Sequence, residues 1–190
     1  MKLIIASGNA GKIREIRAIL GEKFEEILSL KEAGISHETV EDGKTFLENA
    51  EKKAREIAAL SGCAALADDS GLCVDALLGA PGIYSARFCG RHGDDEANNL
   101  LLVEKLQGEN NRKAHYTCAV SLVFPDGSEK HAEGYLFGEI VSSPKGDGGF
   151  GYDPYFYLPE YGCTAAELSA EEKNKISHRA MALQKLFEQL

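Results

Sequence analysis

The chain has 190 residues, of which 44% are hydrophobic and 27% are charged, and its formal net charge is −9. This composition is typical of a globular protein with one domain or two lobes, and the acidic excess argues against a general nucleic-acid-binding protein. The apolar run at the amino terminus is too short for a signal peptide, and no later stretch could span a bilayer. The five cysteines form no C-x-x-C pair. We therefore expect a cytoplasmic protein with free thiols and with no membrane or nucleic-acid partner.

The chain opens with a strand, a glycine turn and a helix. Residues 2–6 predict a buried strand and residues 7–12 a turn. A helix is predicted from Lys12 onward, because apolar residues recur at helical spacing from Ile13 to Leu20. A turn of this kind leaves backbone N–H groups unpaired at the start of a helix, which with Lys12 would make an anion site. The alternative is a plain strand–helix connection.

This turn is not a P-loop. The motif G-x-x-x-x-G-K-[ST] would need glycine at position 6 and serine or threonine at position 13, where the chain has Ala6 and Ile13.

Residues 41–60 predict a second helix with an acidic loop before it. Thr45 and Glu48 match the capping box of a helix amino terminus, and an apolar stripe follows. The run 63–67 then predicts a short buried strand, residues 79–88 a loop, and residues 94–108 a helix.

Two consecutive aspartates, Asp68 and Asp69, follow the strand predicted over 63–67. They are explained either by an ordinary turn or by a site for a divalent cation. Successive side chains of a strand point to opposite faces, so we expect only one of the two to face a given cleft. Glu41, in the acidic loop, could supply a second carboxylate or could be a solvated surface residue.

The second half predicts a hairpin, a glycine-rich loop and a helical end. Residues 115–124 predict a strand, 125–127 a turn and 128–141 a return strand. Residues 143–154 predict a glycine-rich loop. In this loop Phe150 and Tyr152 would offer a stacking face to a ligand, and Asp153 would offer a hydrogen-bond acceptor. The alternative is a tight loop with a core aromatic.

The helical end, from Glu167 to Leu190, has a second capping box at Ser169 and Glu172. On one continuous helix Lys173, His178 and Arg179 would point in three directions. Ser177 is a good N-cap residue, so we predict a helix break there, with His178 and Arg179 at the start of the final helix. The alternative is a surface helix with solvated basic residues.

Together these elements predict an α/β protein with a mixed central sheet flanked by helices, in two lobes with a cleft between them. We expect residues 1–190 to form a single domain, with the hairpin over about 115–141 in the second lobe.

Six stretches in this order resemble the inosine triphosphate pyrophosphatase family, also described as XTP/dITP diphosphatases: SGNAGK, EDGKTFLENAEKKA, ALADDSGL, GAPGIYSARF, GGFGYDP and KNKISHR. The resemblance runs from Lys2 into the final helix. It implies an elongated sheet, a homodimer, and Mg²⁺-dependent hydrolysis of ITP, dITP and XTP to the monophosphate and pyrophosphate, which cleanses the nucleotide pool.

The resemblance also implies roles for individual residues. Glu41 and Asp69 would hold Mg²⁺, Asp69 would also accept a proton, and Lys53 would face phosphate. The phosphate-holding residues would be Ser7, Gly8, Asn9, Ala10, Gly11 and Lys12. The nucleotide contacts would be Ser70, Phe150, Gly151, Tyr152, Asp153, Lys173, His178 and Arg179. Asp147 departs from the family pattern, in which a small polar residue is common at that place.

Two other functions fit the same residues, namely a nucleotide sensor without catalysis and a broader nucleotide or sugar-phosphate phosphatase. Catalysis is favoured because bare carboxylates beside a phosphate loop would repel a triphosphate unless a cation lay between them. For base selection, His178 and Arg179 are candidate donors that would donate hydrogen bonds to the 6-oxygen of inosine and would oppose the 6-amino group of adenine, which is itself a donor.

Overall fold

The computed structural model describes residues 2–21 and 23–190. Across these ranges the strands are β1 (Lys2–Ile5), β2 (Glu26–Ser29), β3 (Ala64–Val74), β4 (Lys113–Val123), β5 (Glu129–Ile140), β6 (Phe156–Leu158) and β7 (Cys163–Thr164). The α-helices are α1 (Ala10–Leu20), α2 (Phe46–Ser61), α3 (Asp95–Lys105), α4 (Ala170–Ile176) and α5 (His178–Phe187). Short 3₁₀ turns occupy much of the region predicted as a loop after β3.

The strands form one mixed sheet in the order β2-β1-β3-β4-β5-β6-β7. Strand β1 is parallel to β2 and β3, whereas β6 is antiparallel to β5 and β7. The predicted α/β class with a mixed sheet flanked by helices is therefore confirmed. Strand β2 was not predicted, because its residues are only partly buried and carry little apolar periodicity.

The chain divides into two compact units. The first comprises residues 1–69, 118–134 and 178–190, and the second comprises 70–117 and 135–177. The hairpin predicted over about 115–141 is thus shared by the units instead of lying whole in the second, because Cys118, Val120 and Leu122 pack in the core of the first.

In the first unit, alternate residues of the strands face two different helix layers. Leu3, Ile5 and Leu66 pack with α1 and α5, whereas Ile4 and Ala65 pack with α2. Full burial of one leucine or isoleucine contributes about 1.5–3 kcal/mol, so both layers are strongly fixed to the sheet. In the second unit, α3 packs on β3, β4 and β6 through a separate apolar core.

Strand β3 is longer than predicted, since it continues through Asp68 and Asp69 to Val74. The expectation that the aspartates follow the end of the strand is therefore wrong. Their position relative to β1 explains the error: parallel pairing with β1 ends at Ile5 and Leu66, and β3 continues beside β4, which is equally long at 11 residues. The aspartates thus lie just past the carboxyl end of β1.

Helix α1 begins at Ala10, earlier than the predicted Lys12. The cause is Asn9, whose side-chain oxygen accepts hydrogen bonds from the backbone N–H groups of Gly11 and Lys12. An asparagine in this position is among the best helix caps. Helix α2 begins at Phe46, later than the start of the predicted range 41–60, because Thr45 is its cap and accepts at its hydroxyl from the N–H of Glu48. Helix α3 ends at Lys105, three residues before the predicted Gly108, which lies in the turn beyond.

The predicted helix break is confirmed. Ser169 opens α4 with a complete capping box, and Ser177 has extended backbone angles, φ −64° and ψ 153°, between α4 and α5. His178 and Arg179 are the first two residues of α5. All five cysteines, each inside the described ranges, are free thiols. Among the described helices, none combines the length and the hydropathy of a membrane-spanning segment.

Candidate active site

Asp68 and Asp69 lie side by side on β3 and face opposite sides of the sheet, as predicted. Asp68 is two residues after Leu66 on the strand, so it faces the same side of the sheet, toward α1 and α5. Asp69 is two residues after Ala67 and faces the other side, toward α2. Strand alternation therefore gives the two carboxylates different partners.

Asp68 is the centre of a buried ion-pair network. Its Oδ2 accepts from Nη2 of Arg179 at 3.0 Å and lies 3.0 Å from Nζ of Lys12. Arg179, 1% exposed, also pairs with Glu15 on α1. Burial by itself would raise the pKa of Asp68, but the charges of Lys12 and Arg179 hold that pKa well below its usual value. Asp68 is thus a fixed anion.

Asp69 has a different environment on the other face. Its Oδ2 accepts a hydrogen bond of 2.9 Å from Nδ2 of Asn49, and its Oδ1 lies 3.5 Å from Nζ of Lys53. Burial raises the pKa of Asp69, and the nearby charge of Glu41 acts in the same direction, against the opposing effect of Lys53 and Lys12. A carboxylate with a raised pKa is a better proton acceptor.

Glu41 and Asp69 converge on one positive charge. Nζ of Lys53 lies 2.7 Å from Oε1 of Glu41 and 3.5 Å from Oδ1 of Asp69. Burial would lower the pKa of Lys53, but the charges of Asp69, Asp68 and Glu41 raise it, so the group is an ammonium ion.

Two carboxylates directed at one cation are a donor set that suits Mg²⁺, which takes one or two carboxylates and completes its shell with phosphate or water. Within residues 2–21 and 23–190, no three His, Cys, Asp or Glu side chains are grouped to hold a metal ion. A metal held by Glu41 and Asp69 would therefore take its remaining oxygen ligands from water or a substrate.

The segment from Ser7 to Lys12 lies at the carboxyl end of β1, but fewer of its amides are unpaired than predicted. Asn9 caps two of them, and its own N–H donates to Oγ of Ser7 at 3.2 Å. Ala10 and Gly11 are the first residues of α1. Gly8 has open space where a Cβ would be. Lys12, ion-paired with Asp68, supplies the positive charge.

In the second unit, Asp153 anchors the glycine-rich loop. It is 2% exposed, and its carboxylate accepts from Nζ of Lys173 at 2.6 Å, from the N–H of Phe150 at 2.9 Å and from the hydroxyl of Tyr116 at 3.2 Å. The interpretation of Asp153 as an acceptor for a ligand is therefore revised, because protein donors occupy its carboxylate.

Phe150 is the residue of this loop that presents an accessible ring beside a cation. Nζ of Lys173 lies 4.7 Å from the centre of the ring. Gly149 has φ of 72°, and a Cβ there would lie 2.1 Å from Oδ2 of Asp153, so only glycine fits. Gly151 is held by Asp95, which accepts from its N–H at 2.8 Å, and by Asn99, which donates to its carbonyl at 2.9 Å.

We expected Tyr152 to offer a stacking face, but its ring does not do so. Tyr152 is 5% exposed and packs in the core of the second unit. Its hydroxyl donates to the carbonyl of Ser85 at 2.8 Å, and burial raises its pKa. Of the other expected contacts, Ser70 is partly buried on β3, His178 is buried at the start of α5, and Asp147 is exposed.

The candidate residues therefore form two groups. The first group lies in the first unit and is joined by ion pairs with carboxylates; it comprises Lys12, Glu41, Lys53, Asp69 and Arg179. The second group lies in the second unit, where Asp153 contacts both Phe150 and Lys173. Lys173 and Arg179, on either side of the helix break, pair with different carboxylates, Asp153 and Asp68.

Sequence reasoning missed three residues that hold the predicted ones, namely Glu15, Asn49 and Tyr116. Asn49 left a signal: it is a polar residue on the apolar face of α2, four positions before Lys53, so both point the same way. Glu15 and Tyr116 left none, because nothing local indicates that their partners are Arg179 and Asp153.

This chain is similar to known proteins over nearly its full length. Residues 3–189 match the model of the Ham1 family. A dITP/XTP pyrophosphatase of an Exiguobacterium species is 53% identical over 98% of this chain and 95% of its own length, and one of Chromobacterium violaceum is 49% identical over 100% and 96%.

Solved structures have the same fold. The Ham1 protein of Staphylococcus aureus has a TM-score of 0.87 and 41% identity, covering 98% of this chain and 96% of that one. A nucleoside-triphosphatase, or dITP/XTP pyrophosphatase, of Mycobacterium abscessus has a TM-score of 0.78 and 44% identity, covering 98% of each chain.

Proposed function

The chain belongs to the Ham1 family and is a nucleoside triphosphate pyrophosphatase, and we propose that it hydrolyses ITP, dITP and XTP to the nucleoside monophosphate and pyrophosphate in a Mg²⁺-dependent reaction. Removal of these non-standard purines would cleanse the nucleotide pool. The observation that carries the proposal is the convergence of Glu41 and Asp69 on one positive charge, beside a second lysine, Lys12.

In this reaction Asp69 accepts the proton of the water that attacks the α-phosphorus. Its raised pKa supports that role, because an ordinary aspartate is a weak base at neutral pH. Glu41 and Asp69 would hold Mg²⁺, which when bound neutralises the leaving pyrophosphate and polarises the phosphate oxygens. Lys12 and Lys53 add fixed positive charge for the triphosphate. Ser7, Gly8, Asn9, Ala10 and Gly11 place the backbone at the start of α1 against phosphate.

Base recognition is proposed to use hydrogen-bond donors and a stacking ring. Phe150 offers the ring and Lys173 a cation beside it. His178 and Arg179 are candidate donors to the 6-oxygen, which inosine and xanthosine have and adenine lacks; the contacts of Arg179 with Asp68 and Glu15 would have to be shared with or exchanged for the base. Ser70 and Gly151 complete the proposed contacts.

One assay separates this function from its alternatives. The protein is incubated with Mg²⁺ and ITP, and the products are identified. IMP and pyrophosphate support the proposal, free phosphate supports a broader phosphatase, and a bound but unchanged nucleotide supports a sensor. A parallel reaction with ATP measures the selectivity, which can reach about 10⁴–10⁵-fold for a site built around a required hydrogen bond.

We also propose a homodimer in the cytoplasm. The five free thiols are consistent with a reducing compartment. Light scattering coupled to size-exclusion chromatography would give a mass near twice 20.5 kDa for the dimer.

A further inference from the structure

Asn49 is a buried amide on the face of α2 that packs against the sheet. It is 1% exposed, and its neighbours on this face, Ala50, Ala54 and Ile57, are apolar. Leaving a buried polar group without hydrogen bonds costs about 1–3 kcal/mol, so the partners of the amide decide what it does here.

The orientation of the amide is fixed by a partner that can only donate. The backbone N–H of Gly43 lies 2.8 Å from the side-chain oxygen of Asn49, so this atom has to be the acceptor Oδ1. Nδ2 therefore faces Asp69, to whose Oδ2 it donates over 2.9 Å.

This bond distinguishes the two oxygens of Asp69. Oδ2 is held by Asn49, and Oδ1 is directed at Nζ of Lys53, on the side where Glu41 lies. Asn49 and Lys53 are four residues apart on one helix, so a single helix face sets both contacts. The carboxylate cannot rotate without breaking one of them.

The same side chain holds the loop that carries Glu41. A Cβ at Gly43 would lie 2.6 Å from Oδ1 of Asn49 and 3.1 Å from its backbone nitrogen, so glycine permits the close approach. Glu41 is two residues before Gly43, and its carboxylate meets Lys53 at 2.7 Å. Asn49 thus connects the loop of one carboxylate with the side chain of the other.

We propose that Asn49 is a positioning residue for the hydrolysis, which aligns Asp69 by donating to it and fixes the Glu41 loop by accepting from Gly43. The inference rests on the proposed function. Because Asn49 acts through Asp69, its loss lowers kcat more than it raises KM. Outer hydrogen-bond partners of this kind are typically worth about 10–100-fold in activity.

The test uses Asn49→Ala and Asn49→Asp, with Asn98→Ala as a matched control. Asn98 is equally buried, at 2%, and also anchors a loop from a helix, because its Oδ1 accepts from the N–H of Cys89 at 2.8 Å, but it does not contact Asp69. Asn49→Asp keeps the acceptor for Gly43 and replaces the donor to Asp69 with a like charge. kcat and KM for dITP are measured with saturating Mg²⁺, below the unfolding midpoint of every variant.

We expect kcat to fall at least about 10-fold in both Asn49 variants, with KM within about 3-fold, and kcat of Asn98→Ala to stay within about 3-fold of the unmodified chain. Wild-type kcat in Asn49→Asp would overturn the role of the donor. An equal loss in Asn49→Ala and Asn98→Ala would also overturn the proposal, since the effect would then be general loss of packing.

Hydrogen exchange at the Gly43 amide gives a second measurement that does not need turnover. It should quicken in Asn49→Ala and stay protected in Asn49→Asp; unchanged protection in Asn49→Ala would overturn the role in the loop. If the unmodified chain releases no pyrophosphate from dITP, the proposed function fails. If the unmodified chain is active and its Asn49 variants are equally active, only the positioning role of Asn49 fails.

Discussion

At the scale of single residues, the adjacent aspartates on β3 have opposite electrostatic environments. Asp68 is a permanent counter-ion for Lys12 and Arg179, and its pKa is lowered by them. Asp69 is held by a neutral amide and has a raised pKa. Only the second is suited to exchange a proton, and the first keeps the cations in place.

Replacing Asp69 by asparagine is expected to lower kcat at least about 10²-fold, the usual contribution of a general base. Because asparagine has nearly the same shape, some nucleotide affinity should remain. Steady-state assays with ITP and calorimetric binding measure the two effects. Asp126→Asn, in the exposed β4–β5 turn, is the control, and turnover near the wild-type rate in Asp69→Asn would remove Asp69 from the proposed role.

Replacing Asp68 by asparagine is expected to reduce the free energy of unfolding by about 3 kcal/mol, at the lower end of the range for breaking a buried ion pair. Arg179 keeps Glu15, but Lys12 loses the carboxylate 3.0 Å away. Urea unfolding measures the loss, and Asp126→Asn should stay within about 0.5 kcal/mol of wild type. Equal stabilities for the two variants would contradict the network described for Asp68.

At the scale of elements, strand β5 and helix α5 approach each other unusually closely. A Cβ at Gly134 would lie 2.1 Å from the carbonyl oxygen of His178 and 2.4 Å from the nitrogen of Ala182. The glycine therefore allows the first turn of α5, which carries His178 and Arg179, to lie directly on the strand.

Gly134→Ala is expected to destabilise the protein by about 1–3 kcal/mol, as overpacking typically does, because backbone atoms of α5 would have to move. Thermal or urea unfolding tests this, with Lys130→Ala on the exposed part of the same strand as the control. Unchanged stability in Gly134→Ala would show that α5 lies farther from β5 than described.

At the scale of the whole molecule, each carboxylate of the candidate site is paired with a cation of the chain itself. Lys53 pairs with both Glu41 and Asp69 and offsets part of their charge, and Lys12 and Arg179 pair with Asp68. A metal would be required by the substrate's charge instead, since a triphosphate approaching these carboxylates is repelled without a cation.

Chelation of divalent ions with EDTA is therefore expected to abolish turnover of ITP while the unfolding midpoint stays unchanged, and added Mg²⁺ should restore turnover. Activity and thermal unfolding are measured on the same samples. Hydrolysis at the full rate in EDTA would refute the metal-dependent mechanism, and a large fall in the midpoint would contradict the expectation that the chain's own ion pairs hold these carboxylates in the fold.

Local sequence signals identified most of the elements and the residue types at the site. Apolar periodicity and caps are local signals, so they located α2, the hairpin strands and the break at Ser177, and strand alternation separated Asp68 from Asp69. Local signals could not show that β3 continues past the aspartates, because a neighbouring strand decides where pairing ends.

The partners of the site residues follow from tertiary contacts. That Asp153 is saturated by Tyr116 and Lys173, that Tyr152 is in a core, and that Asn49 connects Gly43 to Asp69 all depend on contacts between residues far apart in the chain. Hydrogen bonds and burial act through space, so their energies are set by the packing of elements and leave little trace in the order of residues.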